Sequence, residues 1–168
     1  MRVLTCLFGE HDLALVALAA ILCIIGSFVS VQLFLRTISA GGGSRFHWCF
    51  LASVCAGASI WATHFIAMLG YQPGVRVTFD ATLTIVSAVI AIAGVGTGLM
   101  LSGLRNRWLA ALCGGGTIGL AISAMHYVGM FAYRADGIVT WLPGYVAASL
   151  ACAVVFGSLA IDRLRAHD

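Results

Sequence analysis

The run LALVALAAILCIIGSFVSVQLFL, Leu13 to Leu35, decides the fold. It carries no charged residue and exceeds the roughly 20 apolar residues that a helix needs to cross the hydrocarbon core. A secretory signal core is shorter, about 7–15 residues, and has its positive charge in front. Here Glu10 and Asp12 precede the run and Arg36 follows it. It therefore reads as a transmembrane span rather than a signal peptide.

Four further stretches outward from it have the same character: about Trp48 to Gly70, Ala81 to Leu104, Trp108 to Tyr133, and Leu142 to Ile161. Alternating segments of about ten residues, the mark of a membrane barrel, are absent. Helices are the remaining solution, because lipid offers no partner for a loose backbone N–H or C=O. The composition agrees. Of 168 residues 61% are hydrophobic and 9% charged, with mean hydropathy +1.04. A soluble domain carries roughly 25% charged residues. A soluble enzyme, a disordered tail and a nucleic-acid module are excluded. The nine basic residues are all arginine and scattered singly, so the sequence shows no basic patch.

The predicted turns are short: Ser39 to Arg45, Gln72-Pro73-Gly74, Arg105-Asn106-Arg107, and Ala135 to Pro143 with Asp136-Gly137. Short connections make successive helices antiparallel neighbours. The expected fold is all-α: a polytopic membrane helix bundle of five transmembrane helices, up-down, forming one domain over residues 1–168. Alternating spans put Arg36, Arg45, Arg105, Arg107, Arg163 and Arg165 on one side. Arg2, Arg76 and Arg134 fall on the other, mixed with Glu10, Asp12, Asp80 and Asp136. Positive charge in short loops marks the cytoplasm, which predicts an outside N-terminus and a cytoplasmic C-terminus. In a bacterium this is a multi-pass protein of the inner membrane. Gly94/Gly98 and Gly115/Gly119 have the G-x-x-x-G spacing that lets membrane helices approach closely.

The chemistry lies in a repeat. Gly57 to Tyr71 (GASIWATHFIAMLGY) aligns without a gap with Gly119 to Tyr133 (GLAISAMHYVGMFAY). The identical pairs are Gly57/Gly119, Ile60/Ile122, Ala62/Ala124, His64/His126, Met68/Met130 and Tyr71/Tyr133. His64 and Met68 stand at i and i+4 and share one helix face, as do His126 and Met130. Counting about 1.5 Å per residue from the span ends puts both imidazoles about 10 Å below the outer surface. An ionisable side chain at that depth is costly and points to function; its bland alternative is a hydrogen bond between helices. Imidazole with thioether is a soft, uncharged donor set that suits copper, Cu(I) above all, and no carboxylate lies at that level. Met125, about 100° round the helix from His126, is either a further thioether ligand or core. Haem b is the competing cofactor, held by both imidazoles or by His and Met.

Trp61 and Tyr127 read first as an interfacial belt and second as residues that orient a ligand. His11 reads as a solvated terminal residue, with capping of the site as the alternative; His47 and His167 read as surface groups. Of the six cysteines, Cys23, Cys55, Cys113 and Cys152 lie inside spans, Cys6 outside and Cys49 at an inner end. They form no C-x-x-C and no zinc spacing. No nucleotide, hydrolase or zincin motif is present, and the chain carries no visible catalytic machinery.

These residues are similar to a known family. Ala124-Met125-His126-Tyr127-Val128-Gly129-Met130 resembles the motif of the MHYT sensor domain, and Trp61 to Leu69 resembles another copy of it. The resemblance implies an integral membrane sensory domain of bacteria that binds copper through His and Met and senses O2, CO or NO. It implies a cytoplasmic diguanylate cyclase or phosphodiesterase as output. By match, His64, Met68, Met125, His126 and Met130 inherit the ligand role. Thr63 stands where the family has Met, and Val128 where it has Thr. The family pattern has a third motif on a sixth span. Its absence here predicts that a further segment, or another copy in a homo-oligomer, completes the bundle.

Three readings follow. One is a copper-dependent membrane sensor, with lipid and a diatomic gas as partners. Another is a b-type haem or quinone-linked electron-transfer subunit. The last is a structural or transport bundle whose histidines bridge helices, with Ser53, Ser59 and Ser87 as its polar path.

Overall fold

The computed structural model describes residues 11–72, 74–135 and 141–166. Arg2, Cys6, Glu10, Pro73, Asp136, Gly137 and His167, on which parts of the charge, cysteine and loop readings fall, lie outside the described residues.

Five long helices are present: α1 Leu13–Ser39, α2 Gly42–Gly70, α3 Ala81–Leu101, α4 Arg107–Ala132 and α5 Pro143–Ala166. Each is long and apolar enough to span a membrane. The protein is an all-α polytopic bundle. Large apolar side chains face outward, such as Ile24, Phe28, Phe50, Ile85 and Phe156, as only a lipid surround tolerates. Half of the α4 span is buried while α1 and α5 are almost wholly peripheral, so α4 is the central helix.

Each start has a local cause. Asp12 caps α1 by accepting from Ala14 N and Leu15 N, and Asp80 caps α3 by accepting from Leu83 N. Asn106 caps α4 through Trp108 N and Leu109 N. These side chains satisfy N–H groups that have no partner within the helix.

Three boundaries depart from the sequence reading. The expected Ser39–Arg45 turn shrinks to Ala40 and Gly41, since α2 starts at Gly42. Gly42 takes φ +56°, a conformation open to glycine, and turns the chain there. Helix α5 runs past Ile161 to Ala166 because its last charged residues are placed at the helix end: Asp162 accepts two hydrogen bonds from Arg107, at 2.7 and 2.8 Å. Finally, α4 begins as an α-turn at Arg107–Leu109, passes through a π-helical segment at Ala110–Gly115, and continues as α-helix over Gly116–Ala132. In that segment Gly114 presses on Ser102 and Gly115 on Gly157, so backbones close in from both sides.

Two short strands, β1 Val77–Phe79 and β2 Tyr133–Ala135, pair antiparallel, with Phe79 opposite Tyr133. The helical reading leaves no place for them. They follow from β-branched and aromatic residues at the two helix-bordering loops.

The internal repeat is structural as well as textual. In the first hairpin, α1–α2, Asp12 N donates to Gly70 O at 2.7 Å and His11 bridges to Tyr71. In the second, α3–α4, Asp80 N donates to Ala132 O at 2.9 Å and Phe79 pairs with Tyr133. Gly26 lies against Ser59, and Gly94 against Ala121, at matching points of the two hairpins. Gly57 packs on the α3 backbone at Ile92, and Gly119 on the α5 backbone at Ala153. The G-x-x-x-G pairs therefore do the packing expected of them: Gly94 and Gly98 meet α4, and Gly115 and Gly119 meet α5. A core of Phe34, Cys49, Ala52, Val95, Leu99 and Ile161 joins α1, α2, α3 and α5 at the arginine-bearing end.

Candidate metal centre

His64 on α2 and His126 on α4 meet at the opposite end, the motif end. Their ring centroids are 4.8 Å apart, with planes inclined at 62°. The cause of this closeness is Gly129. A side-chain carbon there would stand 2.8 Å from His64 Nε2, so only a bare backbone admits the ring. Phe65, buried, contacts the His64 ring edge-on at 5.3 Å and packs against Trp61 and Phe79. His64 is half-buried and His126 exposed.

The two rings line two spaces. One, of about 290 Å³, opens at the motif end and is walled also by Met68, Met130, His11, Tyr71 and Tyr133. The other is a cleft of about 440 Å³ between α1, α2 and α4, which takes in Met125, Thr63, Ser27 and Ser59. Four of the five sequence-predicted residues, His64, Met68, His126 and Met130, thus share the end cavity. Met125, 1% exposed, lines the cleft on the other side of the imidazoles and is not part of that cavity. It is buried, and the cleft it lines also takes in both imidazoles.

Three buried polar atoms around the rings have no hydrogen-bond partner: His64 Nε2, Thr63 Oγ1 and Tyr133 Oη. An unmet donor or acceptor in a low-dielectric site costs about 1–3 kcal/mol, so such atoms ask for a ligand or a role. Burial, helped by neighbouring Tyr71, raises the Tyr133 phenol above its ordinary range and keeps it a neutral hydroxyl. Among the described residues no three His, Cys, Asp or Glu side chains gather as a metal cluster. A cation at the His pair would therefore complete its shell with thioethers. Cys23, Cys49, Cys55, Cys113 and Cys152 are free thiols, none of them on the end cavity.

Two further residues differ from expectation. His11 is in the cavity wall, its ring 5.1 Å from Tyr71, because the Asp12–Gly70 bond brings the chain entry over the end of α2. The signal that could have found it is the adjacent capping Asp12. Trp61 ties helices together: its Nε1–H donates to Thr84 O at 3.2 Å and Ser87 Oγ at 3.1 Å, joining α2 to α3. Tyr127 joins Ser149 on α5 at 2.6 Å and meets the Trp141 ring edge-on at 5.5 Å. The serines offered as a polar path are partly spent on their own helices, Ser53 donating to Cys49 O and Ser87 to Thr84 O.

A family model described as the bacterial signalling protein N terminal repeat, MHYT, matches residues 57–115 and 119–164. The chain belongs to the MHYT family. The two MHYT matches begin at Gly57 and Gly119, the same glycines that open the repeat and seat the following helix. A signalling protein of Caulobacter vibrioides is 38% identical over 140 residues, covering 83% of this MHYT chain and 17% of the relative. The cyclic di-GMP phosphodiesterase NbdA of Pseudomonas aeruginosa is 33% identical over 149 residues, covering 84% of this chain and 18% of NbdA. The bifunctional diguanylate cyclase/cyclic di-GMP phosphodiesterase MucR of the same organism is 26% identical over 156 residues, 92% of this chain and 23% of MucR. The MHYT chain thus spans about a fifth of the length of these relatives. No solved structure matches it.

Proposed function

We propose that this membrane signalling domain senses through copper held at the motif end by His64, His126, Met68 and Met130. The observation that carries the reading is the 4.8 Å imidazole pair facing a cavity that also receives both thioethers. The unpartnered His64 Nε2 supports it, because that atom sits buried and free to donate a lone pair. Copper would supply an affinity for a diatomic gas (O2, CO or NO) and a change of oxidation state near neutral pH. The chain's own part is mechanical. His64 belongs to the first hairpin and His126 to the second, so whatever alters their spacing alters how the hairpins pack. A ligand moves that balance only by its unequal affinity for the two packings. The arginine-bearing end, cytoplasmic by the charge rule, would report the change to a diguanylate cyclase or phosphodiesterase of the kind named in the relatives.

Haem b is the weaker reading. His64 and His126, or one of them with Met68 or Met130, would be the residues to hold it. The 4.8 Å spacing of the two ring centroids favours a single small ion over a macrocycle placed between them, while His with Met would be the remaining donor set for haem.

Metal and absorbance analysis of the protein purified in detergent tests both. Stoichiometric copper is expected, with affinity reduced about 100-fold or more in the His64→Ala, His126→Ala double variant. A Soret band on haem supplementation, or copper retained by the double variant, rejects the proposal.

A further inference from the structure

Four of the six arginines of the opposite end sort into two pairs once folded. Arg36 stacks over Trp48 at 5.0 Å, and Arg107 is held by Asp162. Arg45 of α2 and Arg165 of α5, far apart in sequence, instead line one cavity of about 150 Å³. Among the described residues no carboxylate forms an ion pair with either. Both touch the end of α3 at adjacent residues: Arg165 donates to Ser102 O, and Arg45 lies against Gly103. Thr37 and Ser102, both buried, complete a polar wall, and Phe34 and Leu99 form an apolar one.

The scatter of single arginines in the sequence thus conceals a site with two convergent guanidinium groups. Two like charges facing one small space repel, and a shared anion would remove that repulsion. Capping of the α3 carbonyls explains part of the arrangement, since cations favour a helix C-terminus. It leaves most of the Arg165 fork unused, because a guanidinium carries five donors. Among the described residues it gives the Arg45 guanidinium no hydrogen-bond acceptor. The guanidinium fork matches the oxygens of a phosphate group. At about 150 Å³ the space is large enough for one phosphate group. Its mixed walls suit a group at the boundary between headgroups and acyl chains, and basic pockets between membrane helices take anionic headgroups.

We infer that Arg45 and Arg165 form a binding site for a single phosphate group, from an anionic lipid headgroup or from free phosphate, at the arginine-bearing end of the bundle. The site is independent of the copper reading. Native mass spectrometry of the full chain, with equal phosphatidylglycerol and phosphatidylcholine in the detergent, reads retained lipid. A parallel arm measures the thermal midpoint with inorganic phosphate against chloride at equal ionic strength. Preferential retention of phosphatidylglycerol is expected, falling roughly fivefold in Arg45→Gln and again in Arg165→Gln. Arg163→Gln, at the same end but outside the cavity, should retain the lipid like the parent. A phosphate-induced midpoint rise lost in Arg45→Gln, without lipid preference, assigns the site to free phosphate. Should Arg165→Gln fail to fold, Arg45→Gln alone carries the test. Equal retention of both lipids with no phosphate response overturns the inference. So does unchanged retention in Arg45→Gln.

Discussion

The two hairpins are built alike and neighboured differently. Both start from a capping aspartate, both close by a bond from that aspartate's N–H to the far end of the hairpin, and both seat glycine on a small residue midway. The second is then covered by α5, and its Met125 is buried. The first has Thr63 at the position matching Met125, and Thr63 leaves an unpaired hydroxyl on an open cleft. The difference teaches that the repeat transmits architecture faithfully while the residue before each histidine sets how the cleft beside it is filled. It also separates packing residues, which recur in both copies, from those that give each copy its own surroundings.

The comparison breaks first at its glycines. Gly57→Ala would place a carbon 2.6 Å from the Ile92 backbone, and Gly119→Ala would strike the Ala153 backbone. Each should destabilise by about 2 kcal/mol or more, since backbone cannot step aside as a side chain can. Unfolding in mixed detergent measures this, and tolerance at one site only would end the equivalence of the hairpins. The thioethers come next. Met68→Leu and Met130→Leu should each weaken copper by about tenfold, or about 1.4 kcal/mol, and by similar amounts, while Met125→Leu should leave it unchanged. A copper titration with a competing chelator decides; a loss confined to Met125→Leu would move the site into the cleft.

Smaller effects sharpen the picture. Asp12→Ala and Asp80→Ala each remove a helix cap and should cost about 1 kcal/mol by thermal unfolding. Asp80 also lies 3.6 Å from exposed Arg134, a pair that contributes little. Trp61→Phe and Tyr127→Phe each cut a tie from an even-numbered helix to the next, α2 to α3 and α4 to α5. Either should cost about 0.5–1.5 kcal/mol on the same assay, and a much larger loss at Trp61 would mark that contact as structural support for the histidine.

Span number, hairpin order and the facing histidines were legible because lipid imposes strong rules on apolar length, and a gapless repeat fixes equal depth. Met68 and Met130 followed from helical periodicity. What stayed hidden depends on tertiary contact. His11 enters the site through a backbone bond made by its neighbour. Met125 stands on another face of α4 from Met130, and which cavity each face meets depends on how α4 packs. The Trp61 bond depends on where α3 presents Ser87. The π segment leaves no periodic trace, since its extra residue arises from crowding on both sides of Gly114 and Gly115.

The ring of His64 rests on naked chain at Gly129, and along that face of α4 the next side chains are those of Met125 and His126 on one side and Ala132 and Tyr133 on the other. Any axial slide of one helix past the other must lift the imidazole over a side chain before it finds another seat. Relative movement of the hairpins is therefore notched rather than smooth, and the bundle has a built-in detent where its two halves touch.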